Sequence, residues 1–573
     1  MARSAEMANA GGGLSPGDGD KRAHDVIRRR EMMYADRSVT ESMWRQIADR
    51  IDPSNNVFQK TMWTPGETRT YRQFDSSPII VIQKFAAAMM AMLTPENSRY
   101  QTLKPPRGLE GNKAVEVYLE ALTDVLFEFR YSPWANFSSQ ADQCYQNLGR
   151  YGTQGLFVDW VPGKGFHYYC CPLNWLYIAE NQHHVVDTVY REIRYTARQA
   201  VGAFGEANLP EIIVKTARDA AKGDTTFDFV HAVEPNTDFT PGRIDWRGKR
   251  FRSLYVSVQG EKIVEEGGFR VLPYAVSRFY QGPGEVYGRS PAWDILPDIK
   301  MLNEMKKTQI RAAQKAVDPP MLLQEDGALM AFDLSPGALN YGGVDDNGKQ
   351  MVVPLQLGAH FDIGSQGLQE TRELINSAFY IDLFQILVQD HDMTATEAML
   401  RAQEKGQLLA PTFGRQQAEF LNPITRRELD VLSNIPGLLE SMIGPAPKEL
   451  LAVGGAYAVE YQSPINKMQR SGDLIAMSNT IQALAPIAQL DPTVMQIFDW
   501  DKVAAGTASI NGVPPSWVRT AEELAQMKQQ QASAQQMQQI LAAAPVAASA
   551  AKDMAQAQAT AQSQPQPVTT GAP

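Results

Sequence analysis

VYGRSPAWDILPDIKMLNEMKKTQIRAAQKAVDPP, residues 286–320, can be read as an enzyme signature or as the entry to a long helix, and the choice decides the fold. Gly288-Arg289-Ser290-Pro291-Ala292 lies one small residue from the G-x-S-x-G nucleophile elbow, which presents a strained serine at a strand-to-helix turn. That elbow takes half of its oxyanion hole from the backbone N–H of the residue after the serine, and here the residue is Pro291, which has none. Acyl chemistry at Ser290 is therefore not expected. Serine at an N-cap with proline at the first helical position is a helix start: the hydroxyl accepts from the first free amides, and proline gives up a donor the helix could not use. Ser290 and Pro291 are read as the cap. Pro297 kinks or restarts the helix, which then runs to Val317 until Asp318-Pro319-Pro320 stops it.

From Pro297 to Val317 the helix spans ~30 Å at 1.5 Å per residue. At ~100° per residue Ile295, Ile299, Leu302, Ile310, Ala313 and Val317 share one side, while Lys300, Lys307, Arg311 and Lys315 fall on the opposite side. One face is built to pack. The basic face is either solvated, with Glu304 pairing to Lys300 and Lys307, or a contact for something anionic.

Downstream, residues 320–362 lose the helical period and show short β-like pieces, PMLLQ, GALNYG and QMVVPL, around an Asp346-Asn347-Gly348 turn. A helix resumes near Ser365 with Leu368, Ile375, Phe379 and Ile386 on one stripe. The order is helix, compact β excursion, returning helix. Gln389, Asp390, His391, Asp392 and Met393 then form an acidic loop before a capping box at Thr394 and Glu397. Asp390, His391 and Asp392 are consecutive and do not converge on one ion as zinc ligands do, so a charged loop tip is expected there.

Upstream, residues 1–20 are Gly-, Ala- and Ser-rich without apolar period and read as an unordered arm. Val26–Ile51 reads as one helix with Trp44, Ile47 and Ile51 on a stripe, ended by Asp52-Pro53; its Arg28-Arg29-Arg30 run reads as a solvated face. A second helix runs Ser77–Leu93. From Gly152 to Phe279 the period changes to β-rich runs such as GLFVDW, VVDTVYREIRYT and FDFVHAVE, interrupted by helix from Ala197 to about Ala221. Met399–Leu432 reads as helical with breaks at Pro411 and Pro423, and more helices lie between Ile465 and Met495. From Ala521 the chain is Ala/Gln-rich, and past Pro545 it reads as a disordered tail.

Composition limits the function classes. The 573 residues, 44% of them hydrophobic, suffice for several large cores. Lys+Arg number 54 against Asp+Glu 64, a net charge of −10, without the basic excess of a tight sequence-reading nucleic-acid binder. No apolar run approaches the ~20 residues of a membrane span and no signal peptide is recognisable, so a soluble, non-exported chain is expected. Three cysteines, Cys144, Cys170 and Cys171, give neither a disulfide framework nor a zinc motif, which suits a reducing compartment. H-E-x-x-H and P-loop motifs are absent. No catalytic residue, metal or cofactor is expected.

Taken in order, MWRQIADRIDP, LTPENSRYQTL, VDTVYREIRYTARQAVGAFG, LPYAVSRFYQGPGEVYGRSPAWDILPDIKMLN, AAQKAVDPPML and TATEAMLRAQEKGQLLAPTFGRQQAEFLNPI give the chain its likeness. It resembles the portal, or head-to-tail connector, proteins of short-tailed (podovirus-type) bacteriophages from about Arg28 to Leu432. The resemblance implies an α+β, helix-rich multidomain portal fold with wing, stem, clip and crown, assembling as a ring, usually dodecameric, at one capsid vertex. Double-stranded DNA would pass through it during packaging and ejection. A terminase, a tail adaptor, the major capsid protein and scaffolding protein would be partners; no membrane is involved, and the ring, assembled in the host cytoplasm, would reside in the virion.

The implied map places an unordered arm at 1–24, a helical part of the wing at 25–151, the β-rich wing at 152–290 and the first stem helix at 291–318. The clip follows at 319–364, the second stem helix at 365–388 and the tunnel loop at 389–394. Wing and crown helices occupy 395–464, crown helices 465–545 and a disordered tail 546–573. In that setting Lys300, Lys307, Arg311 and Lys315 would face DNA or a neighbouring subunit. An acidic chain with confined basic stripes suits a conduit, because each phosphate neutralised by Lys or Arg adds affinity and would hold the DNA. The competing readings are another structural tail or internal core protein of the virion, which need not have the helix, β-insertion, helix order, and an enzyme, which Pro291 argues against.

Overall fold

The computed structural model describes residues 16–53, 73–323, 347–350, 352–354, 361–381, 410–462, 476–486, 497–511 and 526–531, with scattered residues elsewhere between 58 and 534. The first helix, α1 (Pro16–Asp36), begins inside the stretch expected to be an unordered arm. The reason is tertiary: Ala23 and Val26 are buried against Tyr177, Tyr190, Val230 and Leu254 of a sheet. A second helix, α2 (Ser38–Ile51), is separate from the first, where the sequence pattern suggests one. The break falls at Arg37. Its buried guanidinium donates to the carbonyls of Leu173, Leu176 and Asn174, each at 2.9 Å, and lies 4.3 Å from the Tyr177 ring centre. Nor is the arginine run simply solvated: Arg29 pairs with Glu234 at 2.8 Å and Arg30 with Glu192 at 3.4 Å, fastening α1 to the sheet.

Helix α3 (Ser77–Leu93) has the expected bounds, and α4 (Lys113–Arg130) and α5 (Phe137–Tyr151) follow. The Asn112 side chain starts α4 by accepting from the amides of Ala114 and Val115. These helices share one core, in which Phe85 and Ile82 of α3 meet α5 at Gly149.

Before α4 lies strand β1 (Gln101–Lys104), and after α5 come β2 (Thr153–Val161), β3 (Gly165–Cys170), β4 (Leu176–Glu180) and β5 (Val186–Thr196). Where the sequence pattern suggests one helix to about Ala221, two, α6 (Ala197–Phe204) and α7 (Glu211–Arg218), interrupt the strands, the first ending at Gly205; Thr196 and Gln199 form the capping box of α6. The strands resume with β6 (Thr226–Pro235), β7 (Phe251–Ser257), β8 (Lys262–Phe269) and β9 (Tyr274–Arg278). They form two antiparallel sheets, ordered β3-β2-β9 and β4-β5-β6-β7-β8. In the first, central β2 is buried on nearly every residue, so both faces are covered. KIVEEGGF, which forms β8, is depleted in strand formers; it is an edge strand, paired only to β7, and Arg252 and Arg22 neutralise Glu266.

Helices α8 (Pro291–Asp294) and α9 (Leu296–Val317) are distinct, so Pro297 restarts rather than kinks the helix. The apolar side of α9 is only half used: Ile299 and Leu302 are buried, whereas Val317 is 88% exposed. Strands β10 (Met321–Leu323) and β11 (Val352–Pro354) pair antiparallel, and α10 (Phe361–Ala378) returns along α9, with Gly367 meeting Met305. Leu368, Ile375 and Phe379 are buried as their spacing predicts. The helix does not continue unbroken to residue 388: it ends at Ala378, and Tyr380 takes a left-handed φ of 59°.

Pro423 does not break the C-terminal helix. A π turn (Gln417–Leu421) runs directly into α11 (Asn422–Asn434), and the wider turn accommodates a proline that has no N–H to give. Strand β12 (Ala458–Tyr461) pairs with β1, a contact that no local pattern announces. Among the described residues no helix is long and apolar enough to cross a membrane. Residues Gln389, Asp390, His391, Asp392 and Met393, the expected capping box at Thr394 and Glu397, the GALNYG piece except for Leu339, residues 399–409, most of 465–495 and the tail from 546 lie outside the described residues.

Candidate functional site

The sequence singled out the entry and basic face of α9, and the structure shows how that helix is mounted. Ser290 is buried; its Oγ accepts from the Trp293 amide at 3.1 Å and donates to the Arg150 carbonyl at 2.8 Å. Both capacities of the hydroxyl serve the cap and the end of α5. Gly152, with φ 74°, closes α5 against the same turn: a Cβ there would lie 2.2 Å from the Arg289 carbonyl carbon. Tyr280 and Arg289 exchange backbone hydrogen bonds beside it. The motif that mimics an elbow is a packing station joining α5, β9 and α8.

The four basic residues divide into two pairs. Lys300 Nζ donates to Gln46 Oε1 of α2 at 2.7 Å. Lys307 pairs with Glu304 at 2.9 Å and sits 5.7 Å from the Phe74 ring. Arg311 and Lys315 are exposed, beside Ile310, Ala313 and Val317, on a helix end that the rest of the described chain leaves uncovered. The expected single stripe is thus an inner pair held inside the subunit and an outer pair facing away from it.

Residues 73–76 strap α9 to α10. The Phe74 amide donates to Asn303 Oδ1 at 2.7 Å, and Arg372 of α10 donates to Asp75 Oδ2 at 2.6 Å. Burial pushes the Asp75 carboxyl up, but hydrogen bonds from Ser77 and Arg372 outweigh it and hold the group below its ordinary value. Elsewhere in the fold are three ion pairs, built on two arginines, that sequence reasoning missed. Arg130 of α4 pairs with Glu428 of α11, with side chains 1% and 0% exposed; Tyr168 donates to Glu428, and Arg130 also donates to Tyr100 Oη at 2.6 Å. Arg278 of β9 holds Glu180 of β4 and, at 3.0 Å, Glu419 in the π turn. Glu428 shares a helical stripe with Ile424 and Leu432, and a charge on an apolar stripe was the available signal.

Cys144, Cys170 and Cys171 are free and buried, and burial pushes the Cys171 thiol up to about 12, far from a reactive thiolate. Among the described residues no group of three or more His, Cys, Asp or Glu could hold a metal ion. The geometry is that of a mounted, projecting helix pair.

Comparison with known proteins identifies the family. The family model described as bacteriophage head to tail connecting protein matches residues 23–518. The portal protein of Salmonella phage epsilon15 is 25% identical over 545 residues, covering 93% of this chain and 95% of that one. A probable portal protein of Bordetella phage BPP-1 is 25% identical over 524 residues, covering 90% and 92%. The portal protein of Pseudomonas phage phiKMV is 24% identical over 297 residues, covering 51% and 56%. The chain belongs to the bacteriophage head to tail connecting protein family.

Proposed function

We propose that the chain assembles into a closed ring, dodecameric as is usual in the family, at one vertex of the capsid. Double-stranded DNA passes through the ring during packaging and ejection, a terminase docks on it during filling, and a tail adaptor docks afterwards. In this reading the two sheets with α1–α7 are the wing, α8, α9 and α10 the stem, β10 and β11 the root of the clip, and the helices after residue 465 the crown. The loop at Gln389–Met393 forms the tunnel constriction.

The observation that carries the reading is the outer half of α9. A helix that buries Ile299 and Leu302 and then, among the described residues, leaves Ile310, Arg311, Lys315 and Val317 uncovered has surface available to assembly or cargo. A ring needs two different faces on each subunit, and a projecting helix pair supplies them. Arg311 and Lys315, which among the described residues have no counterpart of the partners that occupy Lys300 and Lys307, are the residues we assign to the duplex. Two exposed cations per subunit attract DNA without a continuous basic lining that would grip it.

The test is genetic. With the gene interrupted in the parent phage, capsids should form but contain no DNA and carry no tails, and the chain supplied in trans should restore both. DNA-filled, tailed particles made without the chain would contradict the proposal.

A further inference from the structure

The connection between β6 and β7, residues 236–250, is long for a hairpin and braced by its own bonds. Asn236 Nδ2 donates to the carbonyls of Trp246 at 3.1 Å and Lys249 at 2.9 Å, and the Thr240 amide donates to the Arg247 carbonyl at 2.8 Å. Arg243 forks onto Asp245 at 3.0 and 2.7 Å, and a Cβ on Gly248 would fall 1.8 Å from the Arg243 carbonyl oxygen. The Trp246 ring has the guanidiniums of Arg247 and Arg252 at 5.0 and 4.7 Å. This bracing fixes a tip that presents Ile244, 97% exposed, and Phe239, 41% exposed.

Inside the isolated chain the tip gains nothing from an exposed isoleucine. Arginine and tryptophan around an aliphatic anchor is the composition of interface hot spots, and a loop already fixed loses little freedom on docking. The tip holds Arg243, Arg247, Lys249 and Arg250 against Asp238 and Asp245, in a chain of net charge −10. Arg247 and Arg250 form no salt bridge among the described residues. The rest of the chain carries the carboxylate excess, so a second copy offers charge of the complementary sign. Phosphate is the poorer fit, because Asp245 already neutralises Arg243 and Asp238 stands at the tip beside it.

We infer that this tip is a hook onto the adjacent copy of the chain, seating Ile244 in an apolar depression rimmed by carboxylates that Arg247 and Arg250 reach. The inference rests on the ring reading, since a heterologous contact of this kind repeats around a closed ring. It adds an inter-subunit fastening far along the chain from the α9 and α10 pair.

The experiment uses the purified full-length chain with benzoylphenylalanine in place of Phe239, imaged by negative stain and then irradiated. Rings in the images, with covalent dimers and higher ladders joined through an acidic peptide of a second copy, are expected. Ile244→Ser with Arg250→Glu, both exposed positions, should leave the melting temperature unchanged and cut the ladder about tenfold, the scale of a lost hot spot. Rings without covalent dimers, or a crosslink that moves to added duplex DNA, would overturn the hook and leave the ring reading standing. Absence of rings, with scaffolding protein present as well as absent, would overturn both.

Discussion

Replacing Arg130 with methionine should loosen α11 from the rest of the fold by an amount its surroundings allow one to work out. Arg130 and Glu428 are almost fully buried, and Arg130 also reaches Tyr100 while Tyr168 donates to Glu428. Burial works against the guanidinium charge, and Glu428 more than offsets it, holding Arg130 above its ordinary pKa. Removing one partner strands the other: breaking half of a buried pair costs about 3–5 kcal/mol. Arg130→Met strands the carboxylate, and Glu428→Leu strands the guanidinium. The double variant leaves no charge behind and should cost only ~1–2 kcal/mol, from the hydroxyls of Tyr100 and Tyr168 that lose their partners. Native-state hydrogen exchange of the α4 and α11 amides reads the loss locally, without assuming that so long a chain unfolds in one step. Each single variant should lower protection by about 3–5 kcal/mol, with a coupling energy above ~2 kcal/mol in the cycle. Single variants within 1 kcal/mol of the parent, or costs that simply add, would refute the reasoning.

Ser290→Ala should cost about 1 kcal/mol for the lost cap and ~1 more for the unpaired Arg150 carbonyl, measured by urea denaturation; loss of a hydrolytic activity at unchanged stability would instead reopen the nucleophile. His231 is buried between the sheets, with Tyr274 at 2.7 Å and Ser253 at 2.9 Å. Burial, with Arg191 adding to it, holds its pKa well below 6.5. The unfolded chain then binds the proton first, so the stability His231 confers is full above pH 6.5 and is lost as pH falls from there toward the folded pKa, at up to ~1.4 kcal/mol per unit. His231→Gln should flatten urea midpoints compared between pH 7.5 and 5.5, and an unchanged slope would count against the assignment. Arg311→Ala with Lys315→Ala should reduce the salt dependence of duplex retention by rings, by ~0.9 in the log–log slope per cation removed; an unchanged slope with weakened rings would place both residues at the subunit boundary.

Much of this fold could be read locally because its elements are amphipathic or capped. Helix α3, most strands of the two sheets, the Ser290 start of α8 and the buried stripe of α10 all follow from period and punctuation. What escaped was decided by distant partners. Arg37 divides α1 from α2 because three carbonyls beyond α5 receive its guanidinium, and Pro423 stays within a helix because a π turn precedes it. Strand β8 survives its glutamates and glycines at a sheet edge, and β1 finds β12 across most of the chain. At the candidate site the basic stripe was visible, but its division was not. Gln46, far away in sequence, occupies Lys300, and Phe74 with Glu304 occupies Lys307, leaving Arg311 and Lys315 to the exterior.

The central claim is a closed ring, and native mass spectrometry of the purified chain, with negative-stain images of the same sample, tests it most directly. The account predicts one dominant species whose mass is a whole multiple of the 63.5 kDa chain, near twelve copies as in the family, with a central hole in the images. A chain that stays monomeric or dimeric at high concentration, with scaffolding protein present as well as absent, would contradict it.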